Sequence, residues 1–183
     1  MFFSSWLRKH NAKPRTSRRA TTTFRPQFEV LEGRDVPSTL TVTSNLGFGP
    51  GTMRAEIAAA QNGDTIAFAK SVTGPIDLLH GSPNGAATEL YINKDLDIEG
   101  PGATHLAISG DYYSRVFEVA AGVQVTLSGL TIEHGVGRTG SFDPSVNDGL
   151  GAGILNFGTL TLYTCTVSGN SVTDQFPHLV LQR

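Results

Sequence analysis

Apolar and polar residues alternate with period two along most of the chain after Pro37. Ser38-Thr39-Leu40-Thr41-Val42-Thr43 reads as a strand with Leu40 and Val42 on one face and hydroxyls on the other. Asn45 to Gly51 holds three glycines and a proline, which is turn chemistry. One segment changes period. Met53, Ile57 and Ala60 fall at i, i+4 and i+7, Thr52 stands where an N-cap belongs, and Gly63 is placed to end a helix over 52–61. So short a helix is marginal alone and must pack on something. Asp64-Thr65-Ile66-Ala67-Phe68 then resumes alternation. Further strands are predicted at Ile76–Leu79, Leu90–Ile92, Leu96–Ile98, Leu106–Ile108, Val116–Val119, Val123–Leu127, Leu130–Glu133, Ile154–Phe157, Leu160–Leu162 and Cys165–Val167. No helical pattern separates them, which argues against a βαβ fold.

Three segments align as an internal repeat. They are Tyr91-Ile-Asn-Lys-Asp-Leu-Asp-Ile98, Val125-Thr-Leu-Ser-Gly-Leu-Thr-Ile132 and Leu160-Thr-Leu-Tyr-Thr-Cys-Thr-Val167. Self-similarity at a fixed spacing marks a stacked architecture. In a parallel stack like residues form columns, here Tyr91/Val125/Leu160, Leu96/Leu130/Cys165 and Ile98/Ile132/Val167, with Thr, Ser, Asp and Glu facing out. Gly135 to Gly153, with six glycines and Pro144, is expected to bulge outward as a loop. After Val172 the pattern stops, and residues 173–183 read as an irregular tail. So few repeats are what a truncated product or a fragment of a longer gene would carry.

Some of these segments resemble known proteins. Met53-Arg54-Ala55-Glu56-Ile57-Ala58-Ala59-Ala60 followed by Gly63-Asp64-Thr65-Ile66 is similar to the opening of bacterial right-handed β-helix repeat proteins. Gly151-Ala152-Gly153-Ile154-Leu155-Asn156 and Thr164-Cys165-Thr166-Val167-Ser168-Gly169-Asn170 resemble repeats of the polymorphic outer-membrane protein family. The resemblance spans roughly 38–172 and implies an all-β fold. That fold is a right-handed parallel β-helix of about three coils, its first coil covered by the 52–61 helix, on the cell surface or outside the cell. The implied role is structural or adhesive, without catalysis.

Charge divides the chain. Residues 1–35 carry eight Lys or Arg against three acids, whereas the remainder is acidic, and the total is −2. Charged residues are only 16% and glycines number 21, in keeping with a turn-rich β protein. The basic arm, residues 1–37, lacks interleaved aromatics and a helical pattern, and the acidic body repels phosphate, so no nucleic-acid partner is expected. Phe2, Phe3, Trp6 and Leu7 are closed off by Arg8 and Lys9, too short for the ~7–15 apolar residues of a secretory signal core. Ser17-Arg18-Arg19 resembles a twin-arginine signal, but Ala20-Thr21-Thr22-Thr23 is not an apolar run. Leu31-Glu32-Gly33-Arg34-Asp35-Val36-Pro37 resembles the LE-x-R-x-x-P segment that opens many large exported planctomycete proteins. The arm is therefore expected to be a largely disordered export or anchor-like segment. No stretch approaches the ~20 apolar residues of a membrane helix.

Candidate chemistry is sparse. Parallel β-helices include polysaccharide lyases and hydrolases, which work with carboxylate clusters, calcium or a basic partner. Asp95, Asp97 and Glu99 alternate along one strand and share a face. Glu133 aligns with Glu99, and Arg115 or Arg138 stands as a charge partner. The competing reading, a solvated outer face, is favoured, because such faces need charge for solubility. His10, His80, His105, His134 and His178 show no metal spacing. Cys165, the single cysteine, excludes an intrachain disulfide and reads as a buried, inert thiol. Tyr112-Tyr113 follows Gly110-Asp111 in a turn and offers sugar-stacking rings or simple packing. Asp148-Gly149-Leu150-Gly151-Ala152-Gly153 faintly resembles glycine-rich calcium repeats but lacks their second acidic position. No catalytic, cofactor-binding or metal-ligating residue is assigned and no cofactor is implied. The partners expected are polysaccharides or cell-surface components, while the pattern leaves ligand and oligomeric state open.

Overall fold

The alternating segments pair as parallel strands in a computed structural model that describes residues 36–83, 89–139 and 150–174. In chain order they are β1 (Thr39–Val42), the helix α1 (Met53–Ala59), β2 (Asp64–Phe68), β3 (Ile76–Asp77), β4 (Leu90–Ile92), β5 (Leu96–Glu99) and β6 (Ala107–Ser109). There follow β7 (Phe117–Val119), β8 (Gln124–Ser128), β9 (Thr131–Glu133), β10 (Val136–Thr139), β11 (Ile154–Asn156), β12 (Thr159–Tyr163), β13 (Thr166–Ser168) and β14 (Ser171–Asp174). The protein is thus all-β apart from one short helix among the described residues. The basic arm before Val36 and the tail after Asp174 lie outside the described residues.

Four sheets form among the described residues, ordered β1-β2-β5-β8-β12, β3-β6-β9-β13, β4-β7-β11 and β10-β14. Every strand pairing among the described residues is parallel. The chain visits the three larger sheets in the same order on each pass. It runs from β2 to β3 to β4, then from β5 to β6 to β7, and then through β8 and β9 to β11. In-register pairing turns alternation into columns. Leu40, Ile66, Ile98, Leu127 and Leu162 form one. Ile76, Ile108, Ile132 and Val167 form another. Ile66, Ile98, Leu127, Ile76, Ile108 and Ile132 are fully buried in one apolar cluster. Burying each such side chain is worth about 1.5–3 kcal/mol, so the columns dominate the stability of the stack.

The predicted repeat needs one correction. The step from Val125 to Leu160 is in register, as is that from Ile132 to Val167. The step from Leu96 is not. Leu96 faces Val125 rather than Leu130, Ile98 faces Leu127 rather than Ile132, and Tyr91 is exposed and faces Glu118, so none of the three stands in its predicted column. The reason is that the segments hold different corners. The 125–132 segment holds β8, a two-residue corner and β9, and 160–167 holds β12, a two-residue corner and β13. The 91–98 segment instead spans β4 and β5, a different corner of the pass. Between β5 and β6 the equivalent corner takes seven residues, 100–106. The tight corners turn through left-handed backbone at Gly129 (φ +59°) and Thr164 (φ +49°). At Gly129 any Cβ would strike the Gly100 carbonyl, so glycine is required there.

Two strands escaped the pattern. Val136–Thr139 (β10) lies inside the expected 135–153 bulge, of which residues 140–149 are outside the described residues. Ser171–Asp174 (β14) carries regular structure two residues past the expected stop at Val172 and pairs with β10. Both lack apolar alternation, and β10 carries Gly137 besides.

Helix α1 forms where expected. Thr52 accepts from Ala55 N (3.3 Å) and donates to the Gly49 carbonyl (2.8 Å). Met53, Ile57 and Ala60 are buried in the common core, and the helix packs on β1, β2 and β4. It ends differently from expectation. Ala60 is already extended, and Gly63, at φ +83°, belongs to the following turn. The orphan carbonyls of the last turn are taken by Lys94, whose Nζ donates to Ile57 (3.2 Å), Ala58 (3.3 Å) and Ala60 (2.8 Å). Arg54 ties the helix to the carbonyls of Gly47 (3.2 Å) and Glu89 (2.9 Å) and lies 4.5 Å over the Phe48 ring. Burial lowers its pKa, against the opposing pull of Glu89.

Asp64 joins the helix exit to β1. Its buried carboxylate accepts from Gln61 N (2.8 Å), Ser38 N (2.7 Å) and Ser38 Oγ (3.0 Å). The backbone bonds from Gln61 and Ser38 hold its pKa below the ordinary value of 3.8; burial opposes them, and the Ser38 hydroxyl and the charge of Lys94 add to them.

Two outcomes are expected. Ile98→Ala lowers unfolding free energy in urea by about 2–5 kcal/mol, whereas Asp97→Ala, one residue away on the outer face, changes it by less than about 0.5 kcal/mol. Because the Asp64 carboxyl pKa is depressed on folding, its contribution is complete above 3.8 and disappears as pH falls through the folded value. Asp64→Asn should therefore flatten the acid limb of a pH–stability curve, and an unchanged limb would contradict the assignment.

Candidate functional site

The five-stranded sheet presents a polar outer face. Between its buried columns, pairing aligns Thr39, Thr65, Asp97, Thr126 and Thr161 across all five strands. A shallow depression of about 250 Å³ lies on this face, lined by Asp95, Asp97, Gln124, Thr126, Thr159 and Thr161 together with Gly63, Leu96 and Val125. The sharing of one face by Asp97 and Glu99 holds, since both are exposed on β5. Asp95 sits in the turn just before that strand. Its carboxylate accepts from Gln124 N (2.7 Å), its own amide donates to Asn62 Oδ1 (3.1 Å), and its carbonyl accepts from Gly63 N (2.8 Å). Asp95 therefore fastens three successive passes and is spent on the backbone.

The carboxylate cluster considered from sequence is not brought together. Glu99 is level with Ala67 and Ser128, whereas Glu133 is level with Ser109 and Ser168 in another sheet. The misalignment has the same origin as the Leu96 register, the corner between β4 and β5 matched to the one between β8 and β9. Arg115 does not face these acids. It pairs with Glu118 at 3.0 Å and donates from Nε to Gly151 O and from Nη2 to Leu150 O, each at 2.8 Å. It clamps the segment entering β11 against β7, the strand that β11 pairs with. Arg138 lies in β10, in the sheet with β14. Among the described residues no three His, Cys, Asp or Glu side chains come close enough to hold a metal ion.

His80 and His105 are exposed, and Thr104 Oγ1 lies 3.1 Å from the His105 ring. His10 and His178 fall outside the described residues, as do Asp148 and Gly149 of the glycine-rich segment. Tyr112 and Tyr113 occupy the predicted turn and are more than half exposed. Asp111 (φ +51°) and Tyr112 (φ +57°) are consecutive left-handed residues, a conformation that costs a non-glycine residue of order 1–3 kcal/mol. The turn is held by Tyr112 N donating to His134 O (2.8 Å), and the Tyr112 and His134 rings lie 4.5 Å apart at 31°. His134, itself at φ +51°, stands 3.9 Å from Glu133. The result is an exposed aromatic patch beside two carboxylates, Asp111 and Glu133, a surface suited to stacking and hydrogen-bonding a sugar ring.

Cys165 departs from expectation. It packs against the core, and its thiol donates to Leu127 O (3.3 Å), yet it is only partly buried. Nothing lies over it among the described residues, because β12 and β13 are terminal strands of their sheets. Sequence reasoning missed this end of the stack, where Leu162, Val167 and Val172 are exposed. A signal was present, since Leu150 to Thr173 contains no charged residue.

Comparison with protein-family models, with curated proteins and with solved structures finds no match to this chain. No helix among the described residues is long and apolar enough to cross a membrane.

Proposed function

We propose that this protein is an exported or cell-surface β-helix repeat protein with a structural or adhesive role and no catalysis of its own. The cyclic order of visits to the sheets is read as a single right-handed parallel β-helix covered at its N-terminal end by α1. The observation that carries the reading is the segregation across the five-stranded sheet. Leu40, Ile66, Ile98 and Leu127 run inward while Thr39, Thr65, Asp97, Thr126 and Thr161 run outward. That construction makes a stiff rod whose regular outer face binds by repetition rather than by a deep pocket. The exposed Tyr112-Tyr113 turn supplies a place for a polysaccharide or cell-surface glycan to stack. The export reading rests on the basic arm and on Leu31-Glu32-Gly33-Arg34-Asp35-Val36-Pro37. Polysaccharide cleavage is not proposed, because the register separates Glu133 from Asp97 and Glu99.

Fractionation of the producing cells together with binding to immobilised polysaccharides tests the reading. Full-length protein is expected in the surface or extracellular fraction. Tyr112→Ala with Tyr113→Ala should weaken glycan binding about tenfold, on the scale of a lost stacking contact. Recovery only from the cytosol would overturn it. So would turnover of an acidic polysaccharide that Asp97→Ala abolishes.

A further inference from the structure

The Tyr112 turn folds over the outer face of the sheet β3-β6-β9-β13. Asp77, Ser109 and Glu133 stand level there in one outward column. Asp111 N donates to Ser109 Oγ (3.1 Å) and Tyr112 N to His134 O (2.8 Å), which lays the turn over β6 and the end of β9. Ser109 is only 3% exposed in consequence, although its position faces outward, while Tyr112 and Tyr113 stay 60% and 55% exposed. A hollow of about 260 Å³ opens on the same face, lined by Thr104, His105, Thr131 and Glu133 together with Gly74 and Pro75. Glu133 joins hollow and rings. It borders the hollow, and its carboxylate lies 3.9 Å from His134, whose ring is 4.5 Å from that of Tyr112. An aromatic platform with a carboxylate and a recess at its edge is a construction that seats a sugar ring.

Charge selects among sugars. Residues 71–83, 100–114 and 129–137 hold β3, β6, β9 and their corners, and they contain Asp77, Asp111 and Glu133 but no lysine or arginine. Arg115, next in the chain, is engaged by Glu118 and by the carbonyls of Gly151 and Leu150. Beyond residue 35 acids outnumber lysines and arginines by thirteen to six. A uronate or sulfated chain would meet like charge on this surface. A neutral sugar would leave Asp111 and Glu133 without a cation, because among the described residues neither is paired with lysine or arginine. A protonated amine on the sugar answers both, since it pairs with a carboxylate and is attracted to the face of a tyrosine ring.

We propose that this site binds a glycan whose sugars carry free amino groups, a hexosamine chain without its N-acetyl groups. This rests on the reading of the protein as a glycan-binding surface and narrows it to a cationic class. One sugar ring stacks on Tyr112 with its ammonium group directed at Glu133 and Asp111, and the next sugar enters the hollow at Thr131.

Titration calorimetry of the full chain tests this at about pH 6, above the ~4 of free carboxylates and where a sugar amine largely keeps its proton. The probes are a glucosamine oligosaccharide, its fully N-acetylated counterpart and a lysine oligopeptide of equal charge. The free-amine sugar should bind about tenfold more tightly than either of the others, the combined scale of a charge-assisted hydrogen bond and a cation–π contact. Glu133→Gln should remove most of that preference without altering binding of the acetylated sugar. Asp111→Asn should do the same, and it keeps a residue type that tolerates the left-handed backbone at 111 (φ +51°). Tyr112→Ala should weaken both sugars, and Asp97→Asn, on the five-stranded sheet, should change neither. Equal binding of the two sugars overturns this proposal and leaves the glycan reading standing. Binding of neither overturns both together. Equal affinity for the lysine peptide, or a free-amine preference that survives Asp111→Asn/Glu133→Gln, shows only a cation drawn to an acidic surface and overturns the proposal as well.

Discussion

A parallel strand leaves backbone donors and acceptors along both edges and apolar side chains on its inner face, and in this protein only the neighbouring pass of the chain satisfies them. Each residue therefore depends on a partner some 24 to 37 positions away in sequence, as Ala107 does on Thr131 and Phe117 on Ile154. The in-register pairing of Ile66, Ile98 and Leu127 is the interaction from which the rest follows. It aligns the threonines on the outer face, sets the corners, and makes both ends of the stack a problem to be solved. The N-terminal end is solved by α1, held by Lys94 on its last carbonyls and by Asp64 at its exit. At the other end of the described residues, β11 to β14 are the terminal strands of their sheets.

Polar residues serve this stacking more than they serve chemistry. Asp64, Asp95, Arg54, Lys94 and Arg115 all bond to backbone groups of another pass. Charged groups placed so bring an unpaired peptide group a strong partner where the strand ladder is interrupted. Asn170 does the same without charge, accepting from Gly135 N (2.8 Å) and donating to Ile132 O (3.0 Å). What remains for recognition is the exposed surface, the threonine columns and the Tyr112–His134 patch.

Much of the architecture was legible because burial on one side and solvent on the other imposes period two. Leu90–Ile92 and Asp64–Phe68 were found to the residue, and the remaining predicted strands to within one or two residues. The Thr52 cap and the Met53, Ile57, Ala60 face followed from spacing alone. Register was harder. Apolar residues at the first, sixth and eighth places of eight fit either corner of a pass, so Tyr91 to Ile98 aligned with segments that occupy a different one. Strands β10 and β14 carry glycine or serine where the period needs apolar residues. Lys94 reaches the helix from more than thirty positions away, a contact with no local sign. The acidic site was lost with the register, since stacking Glu133 over Glu99 required β5 to lie level with β9, whereas β5 pairs with β8 and β9 with β6.

Short-range cross-linking of paired cysteines in a Cys165→Ser background tests the stacking register most directly. Asp97→Cys with Thr126→Cys places thiols on adjacent rungs about 4.8 Å apart and should join rapidly with a short bifunctional reagent. Asp97→Cys with Thr131→Cys, the pair demanded by aligning Tyr91–Ile98 with Val125–Ile132, should not. Efficient joining of the second pair and not the first would contradict the account.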